Sequence, residues 1–202
     1  MSTLLELDTP HGLARARIVE VESPLAALVL GHGAGGGIES PDLVGAAEAA
    51  RAAGLSVALV EQPYRVAGRR SPAPAGQLDA AWTSVVLQLC EGPLTDLPLL
   101  TGGRSAGARV ACRTAADTDS VAVLCLAFPL HPPGRPEKSR LPELDAVHLP
   151  TLVVQGENDP FGMPPAGPSR TVVRIPGTHS LRSSAAVAAA VSDWLSGVSL
   201  TP

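Results

Sequence analysis

Two hydrophobic rhythms divide the chain. In Leu13–Glu22, LARARIVEVE, apolar and polar residues alternate almost throughout, the period-two pattern of a strand with one buried face. Leu4–Asp8 reads as a strand before it. Asp8-Thr9-Pro10-His11-Gly12 between them carries turn residues, so the pair predicts an antiparallel hairpin. From Leu25 the rhythm changes. Leu25–Leu30 is a continuous apolar run, as expected of a strand buried on both faces, and Leu55–Val60 is the next such run. Further strands are predicted over Leu97–Leu100, Val121–Ala127, Thr151–Val154 and Thr171–Ile175. Helices are predicted from Ser40-Pro41 to about Ala53, over Gln77–Glu91, over Ser105–Ala116 and over Ser184–Leu195. Ser40 reads as an N-cap with proline at the first helical position, and Gly54 as the stop. The proline-rich Phe128–Pro150 segment has room for one short helix. Arg65–Gly76 and His131–Pro136 read as surface loops. A hairpin followed by strand–helix alternation predicts one α/β domain over residues 1–202, with a mostly parallel sheet covered by helices on both faces.

Composition narrows the function classes. With 45% hydrophobic and 17% charged residues the chain is of globular type, and 2% aromatics leave the core to Ala, Val and Leu. A net charge of −4 with no Lys/Arg-rich stripe argues against nucleic acid as a partner. Cys90, Cys112 and Cys125 are odd in number, widely spaced and set in apolar segments. They read as free buried thiols of a reducing compartment, not as a disulfide frame or a metal site. No secretory signal and no membrane-length apolar run are evident, so the expected location is the cytoplasm, with no membrane partner.

The stretch LVLGHGAGGG raises two incompatible chemistries. Gly31-His32-Gly33-Ala34-Gly35-Gly36 fits G-x-G-x-x-G, the phosphate cradle of dinucleotide-binding folds, and Glu61 stands where a ribose-binding acid belongs. The same letters read as a strand entering a His-Gly-x-Gly loop that offers backbone N–H groups to an oxyanion. The helix signal at Ser40-Pro41 lies beyond the glycines, whereas a dinucleotide site needs the helix to begin within them.

The remaining motifs decide between the two. Gly103-Arg104-Ser105-Ala106-Gly107 fits G-x-S-x-G and lies between a predicted strand and a predicted helix, the setting of a nucleophile elbow. A serine hydroxyl needs an imidazole to take its proton. Among His11, His32, His131, His148 and His179, the last lies in a loop between the final strand and the final helix. The imidazole in turn needs a carboxylate, and Asp159, in the loop after TLVV, is preferred to its neighbour Glu157. The order Ser105, Asp159, His179 is that of the α/β-hydrolases. Ala34 and Ala106 are the expected backbone donors of the oxyanion hole.

These residues resemble the α/β-hydrolase superfamily and, more closely, its small dienelactone-hydrolase-like branch. Within it the chain is similar to the testis-expressed-protein-like hydrolases, through LVLGHGAGGG, EQPYRVAGRR, GGRSAGAR, FPLHPPGRPEK, QGENDPFG and GTHS. The resemblance implies an α/β-hydrolase fold, a Ser105–Asp159–His179 triad, no cofactor and no metal. Ser105 stands where dienelactone hydrolases use cysteine, so ring-lactone hydrolysis is not implied. Because Phe128–Pro150 is short, no substantial lid is expected and the site should be open. Gly33, Tyr64, Arg65, Phe128, His131, Phe161 and Met163 are candidate walls of a substrate pocket. Arg65, Arg69 and Arg70 read as a solvated run, with anion binding as the alternative. Arg104 and Arg109 read as ion-pairing residues. The leading expectation is a serine hydrolase of small or soluble acyl esters or thioesters. The others are a non-catalytic interaction module on the same fold and a nicotinamide-dependent reductase. The sequence fixes no oligomeric state.

Overall fold

The computed structural model describes residues 2–199. Its strands are β1 (Ser2–Thr9), β2 (Gly12–Val19), β3 (Ala26–Gly31), β4 (Leu55–Glu61), β5 (Leu99–Arg104), β6 (Ala122–Leu126), β7 (Thr151–Gly156) and β8 (Arg170–Ile175). They form one sheet in the order β1-β2-β4-β3-β5-β6-β7-β8. β1 and β2 are the expected hairpin, in register from Ser2 opposite Val19 to Thr9 opposite Gly12. β2 runs antiparallel to β4, and the pairs from β4 to β8 are parallel.

The helices are α1 (Pro41–Ala52), α2 (Pro63–Val66), α3 (Ala75–Cys90), α4 (Ala106–Thr114), α5 (Leu141–Asp145) and α6 (Ser184–Leu195). Alternation along β3 shows how they share the sheet. Ala26, Leu28 and Leu30 pack with residues of α1 and α6, while Ala27 and Val29 pack with Trp82, Val85 and Val86 of α3. A third cluster joins Ala108 and Ala111 of α4 to Val123, Cys125 and Val153 and to Leu144 of α5. Strands covered on both faces are nearly continuous apolar runs, as LVL and LVV are. Cys112 and Cys125 are buried with sulfurs 3.5 Å apart, whereas Cys90 is only half-buried; all three are free thiols.

The sheet order reverses at β3. α1 leads from it to β4 on one side, and α3 returns across the other face to β5 on the opposite side. In open α/β sheets such a reversal leaves a crevice outside the carboxyl ends of the two strands. Here it separates the loop after Gly31 from the turn after Arg104.

Three local expectations are corrected. Ser40 is the N-cap residue of α1 but makes no side-chain cap bond; Asp42 Oδ1 accepts the N–H of Leu43 instead, at 2.9 Å. A carboxylate in the first turn is also stabilised by the positive end of the helix dipole. The Arg65–Gly76 loop is shorter than expected, because Pro63 starts a single helical turn and α3 begins at Ala75. β5 runs on through Gly102 and Gly103 to Arg104. These glycines belong to the ladder: a Cβ at Gly102 would lie 2.4 Å from the Leu124 carbonyl.

Candidate active site

Ser105 directly follows β5 and occupies the N-cap position of α4 with φ 52° and ψ −107°, a conformation that costs a non-glycine residue roughly 1–3 kcal/mol. Close packing enforces the turn. A Cβ on Gly107 would lie 2.4 Å from the Gly31 carbonyl oxygen, and one on Gly103 2.5 Å from the same atom. The two glycines let β5 and α4 press directly against the end of β3. The Ser105 N–H donates to the Leu126 carbonyl at 2.8 Å, which ties the turn to β6.

Ser105 Oγ lies 2.9 Å from His179 Nε2, and His179 Nδ1 lies 2.8 Å from Asp159 Oδ2. The carboxylate can only accept from Nδ1–H, so Nε2 is the free lone pair facing the hydroxyl. Asp159 has a side chain 0% exposed. Its Oδ1 accepts the Phe161 N–H at 2.8 Å, and Oδ2 also accepts from Gln155 Nε2 at 2.8 Å. Gln155, fully buried, donates as well to the carbonyls of Phe128 and Gly162, joining β7, the exit of β6 and the acidic turn. Glu157 is exposed and lies outside this network. The Phe161 ring stacks on the imidazole at 4.1 Å between centroids.

The glycine loop after β3 is held by His32. Its Nδ1 lies 2.8 Å from the Gly33 carbonyl and its Nε2 accepts the Gln62 N–H at 3.1 Å, which fixes the Nδ1–H tautomer. Burial, the largest influence, pushes the His32 pKa down against the opposing pull of the Gly33 carbonyl. Tyr64 Oη donates to the Ala34 carbonyl at 3.4 Å, and burial raises its pKa. With the carbonyls of Gly33 and Ala34 turned to these partners, the Ala34 N–H donates to no acceptor among the described residues; nor does that of Ala106, at the start of α4. A Cβ on Gly33 would stand 3.5 Å from Ser105 Cβ, so this loop adjoins the hydroxyl. α1 begins only at Pro41, well past Gly36.

Ser105, His179, Ala34 and Phe161 line a cleft of about 640 Å³, with Arg104 and Arg182 on its wall. Gly33 adjoins Ser105, and the other expected pocket residues lie elsewhere. Phe128 is fully buried in the cluster beneath α4, because the chain turns inward after β6. Tyr64 supports the loop from behind, Arg65 sits on α2, and neither they nor Met163 line the cleft. His131 packs against the acidic turn: its N–H donates to the Phe161 carbonyl, and its ring fills the space a side chain at Gly162 would take. Arg109 pairs with Glu143, joining α4 to α5. A second cleft of about 330 Å³, bordered by His11, Gln62, Tyr64 and Arg69, opens on the far side of Tyr64 and does not contain Ser105. Gln62, Gln155 and Asp42 escaped sequence reasoning, since buried amides and first-turn acids leave no motif. Among the described residues there is no group of three or more His, Cys, Asp or Glu that could hold a metal ion, and no helix is long and apolar enough to cross a membrane.

Residues 24–171 match the family described as an alpha/beta hydrolase domain. No curated protein matches the chain. Among solved structures, the chain is similar to a lidless α/β serine hydrolase from Xanthomonas campestris, with 22% identity and TM-score 0.76, covering 96% of this chain and 94% of that one. It is similar to a dienelactone hydrolase from Anabaena variabilis at 20% identity, TM-score 0.76 and 97% coverage of both chains. The protein Est1E from Butyrivibrio proteoclasticus, determined with ferulic acid bound, has 15% identity and TM-score 0.76, covering 95% of this chain and 97% of that one.

Proposed function

The chain belongs to the family of alpha/beta hydrolase domains, and from that premise we propose that it is a serine hydrolase of small or soluble acyl esters or thioesters. Its motifs resemble those of the small testis-expressed-protein-like branch. The observation that carries the reading is the pair of hydrogen bonds linking Ser105 Oγ to His179 Nε2 and His179 Nδ1 to Asp159.

In the proposed reaction Ser105 Oγ attacks the acyl carbon while Nε2 takes the hydroxyl proton. Asp159 keeps the imidazole in the Nδ1–H tautomer and stabilises the imidazolium that forms. The Ala34 and Ala106 N–H groups receive the oxyanion, each worth on the order of 3 kcal/mol in comparable sites. As the tetrahedral intermediate collapses, the imidazolium protonates the leaving oxygen or sulfur and the acyl group stays on Ser105. Water, deprotonated by Nε2, then attacks the acyl-enzyme and regenerates the serine. The open cleft and the single short helix between β6 and β7 favour short or soluble acyl groups over a buried lipid chain.

A panel of p-nitrophenyl esters from acetyl to palmitoyl tests the reading. The expected result is turnover highest with the short acyl groups and absent in Ser105→Ala. Equal turnover in the wild type and Ser105→Ala would overturn it, and no turnover of any ester by the wild type would leave an interaction module on the hydrolase fold.

A further inference from the structure

The guanidinium of Arg104 precedes the proposed nucleophile and reaches three other segments. Its Nε donates to Asp42 Oδ2 at 2.8 Å, at the start of α1, and its Nη2 donates to the His179 carbonyl at 3.2 Å. Its Nη1 lies against the glycine loop, 2.6 Å from where a Cβ on Gly33 would stand. Asp42 is buried, its side chain 1% exposed, and Arg104 is largely covered, its side chain 14% exposed where it borders the cleft.

We infer that Arg104 is a positioning residue for the proposed hydrolysis: its planar fork fixes the His179 loop and the oxyanion loop to the end of β5, so that imidazole and oxyanion donors stay in register with Ser105. The inference rests on the serine-hydrolase reading. Stability alone is a weak reason for this arrangement, because a buried ion pair is often no more stabilising than apolar side chains of the same shape. Direction is what a guanidinium adds. Its donors leave in fixed, coplanar directions, whereas an ammonium on a flexible stem is a point charge. Each direction here is used for a different segment: α1 through Nε, the His179 loop through Nη2, and packing on Gly33 through Nη1. The His179 carbonyl has no other hydrogen-bond partner among the described residues, so this contact restrains the main chain of the proposed base directly. Asp42 matters because it holds the fork. Its Oδ1 is bonded to the Leu43 N–H, which leaves Oδ2 aimed at Nε. The absence of a side chain at position 33 follows from the same geometry, since any Cβ would displace Nη1 or the loop.

The test compares kcat and KM for a short neutral ester, and the rate of fluorophosphonate labelling, in wild type, Arg104→Lys and Asp42→Asn, each well below its unfolding temperature. Misplacement of reacting groups by about 1 Å costs about 100-fold in rate. Arg104→Lys should therefore lose about 100-fold in kcat and in labelling rate, with KM nearly unchanged. Asp42→Asn, which keeps an oxygen for Nε, should lose less. Wild-type kcat and labelling in Arg104→Lys would overturn the inference while leaving the serine-hydrolase reading intact. A wild type that neither labels nor turns over would overturn both. Should Arg104→Lys fail to fold, the double variant Arg104→Gln/Asp42→Asn leaves no unpaired buried charge and decides by the same rates: loss of kcat supports the inference, and wild-type kcat refutes it.

Discussion

At the scale of single residues, the burial of neighbours converts ordinary side chains into directional ones. Asp159 accepts from Phe161, Gln155 and His179 at 2.8 Å each and has no freedom to turn away. Asp159→Asn would present an amide where Nδ1–H needs an acceptor. We expect kcat to fall by about 10⁴ with little change in KM, as when a triad carboxylate is amidated elsewhere; steady-state kinetics on a soluble ester measures it. His32 supplies a pH dependence. Burial depresses its folded pKa below the ordinary value near 6.5, so at acid pH the unfolded chain binds the proton more readily than the folded one. The His32 contribution to stability is therefore complete above about pH 6.5 and is lost as pH falls through the folded value. Urea midpoints measured downward from neutral pH should show this loss in the wild type and a shallower one in His32→Gln. Protonation would also end the bond that Nε2 accepts from Gln62.

At the scale of elements, the legible features were those written in rhythm or in spacing. The hairpin, the parallel strands and the final helix Ser184–Leu195 follow from apolar periodicity, and the meeting of Ser105, Asp159 and His179 follows from their order at strand ends. What escaped depends on contacts between distant segments. β5 carries Gly102 and Gly103 inside the ladder because β6 and β3 come too close for side chains, a fact no window of sequence contains. Phe128, a candidate pocket wall by sequence, is in the core. Tyr64 and His131 brace the loops that hold the site instead of lining its cleft. Gly107→Ala should test the close approach of α4 to β3: overpacking against backbone costs about 1–3 kcal/mol, or roughly 3–10 °C in Tm for a chain of this size. Gly35→Ala, with nothing within 4 Å of its new Cβ, should leave Tm nearly unchanged. Differential scanning fluorimetry of the two variants separates packing from loop flexibility.

At the scale of the whole molecule, the reversal of strand order at β3 organises everything proposed here. It opens a crevice between two strand ends; β3 brings the glycine loop to one side and β5 brings the serine turn to the other. β7 and β8 then deliver the acid and the imidazole from beyond β6. A short, proline-rich connection between β6 and β7 leaves the cleft open, consistent with a soluble acyl substrate. The most direct measurement is the intact mass of the protein after exposure to a fluorophosphonate, with peptide mapping of the adduct. The account predicts one adduct, on Ser105, absent in Ser105→Ala and strongly slowed in His179→Ala. A wild type that remains unmodified, or an adduct carried equally by Ser105→Ala, would contradict it.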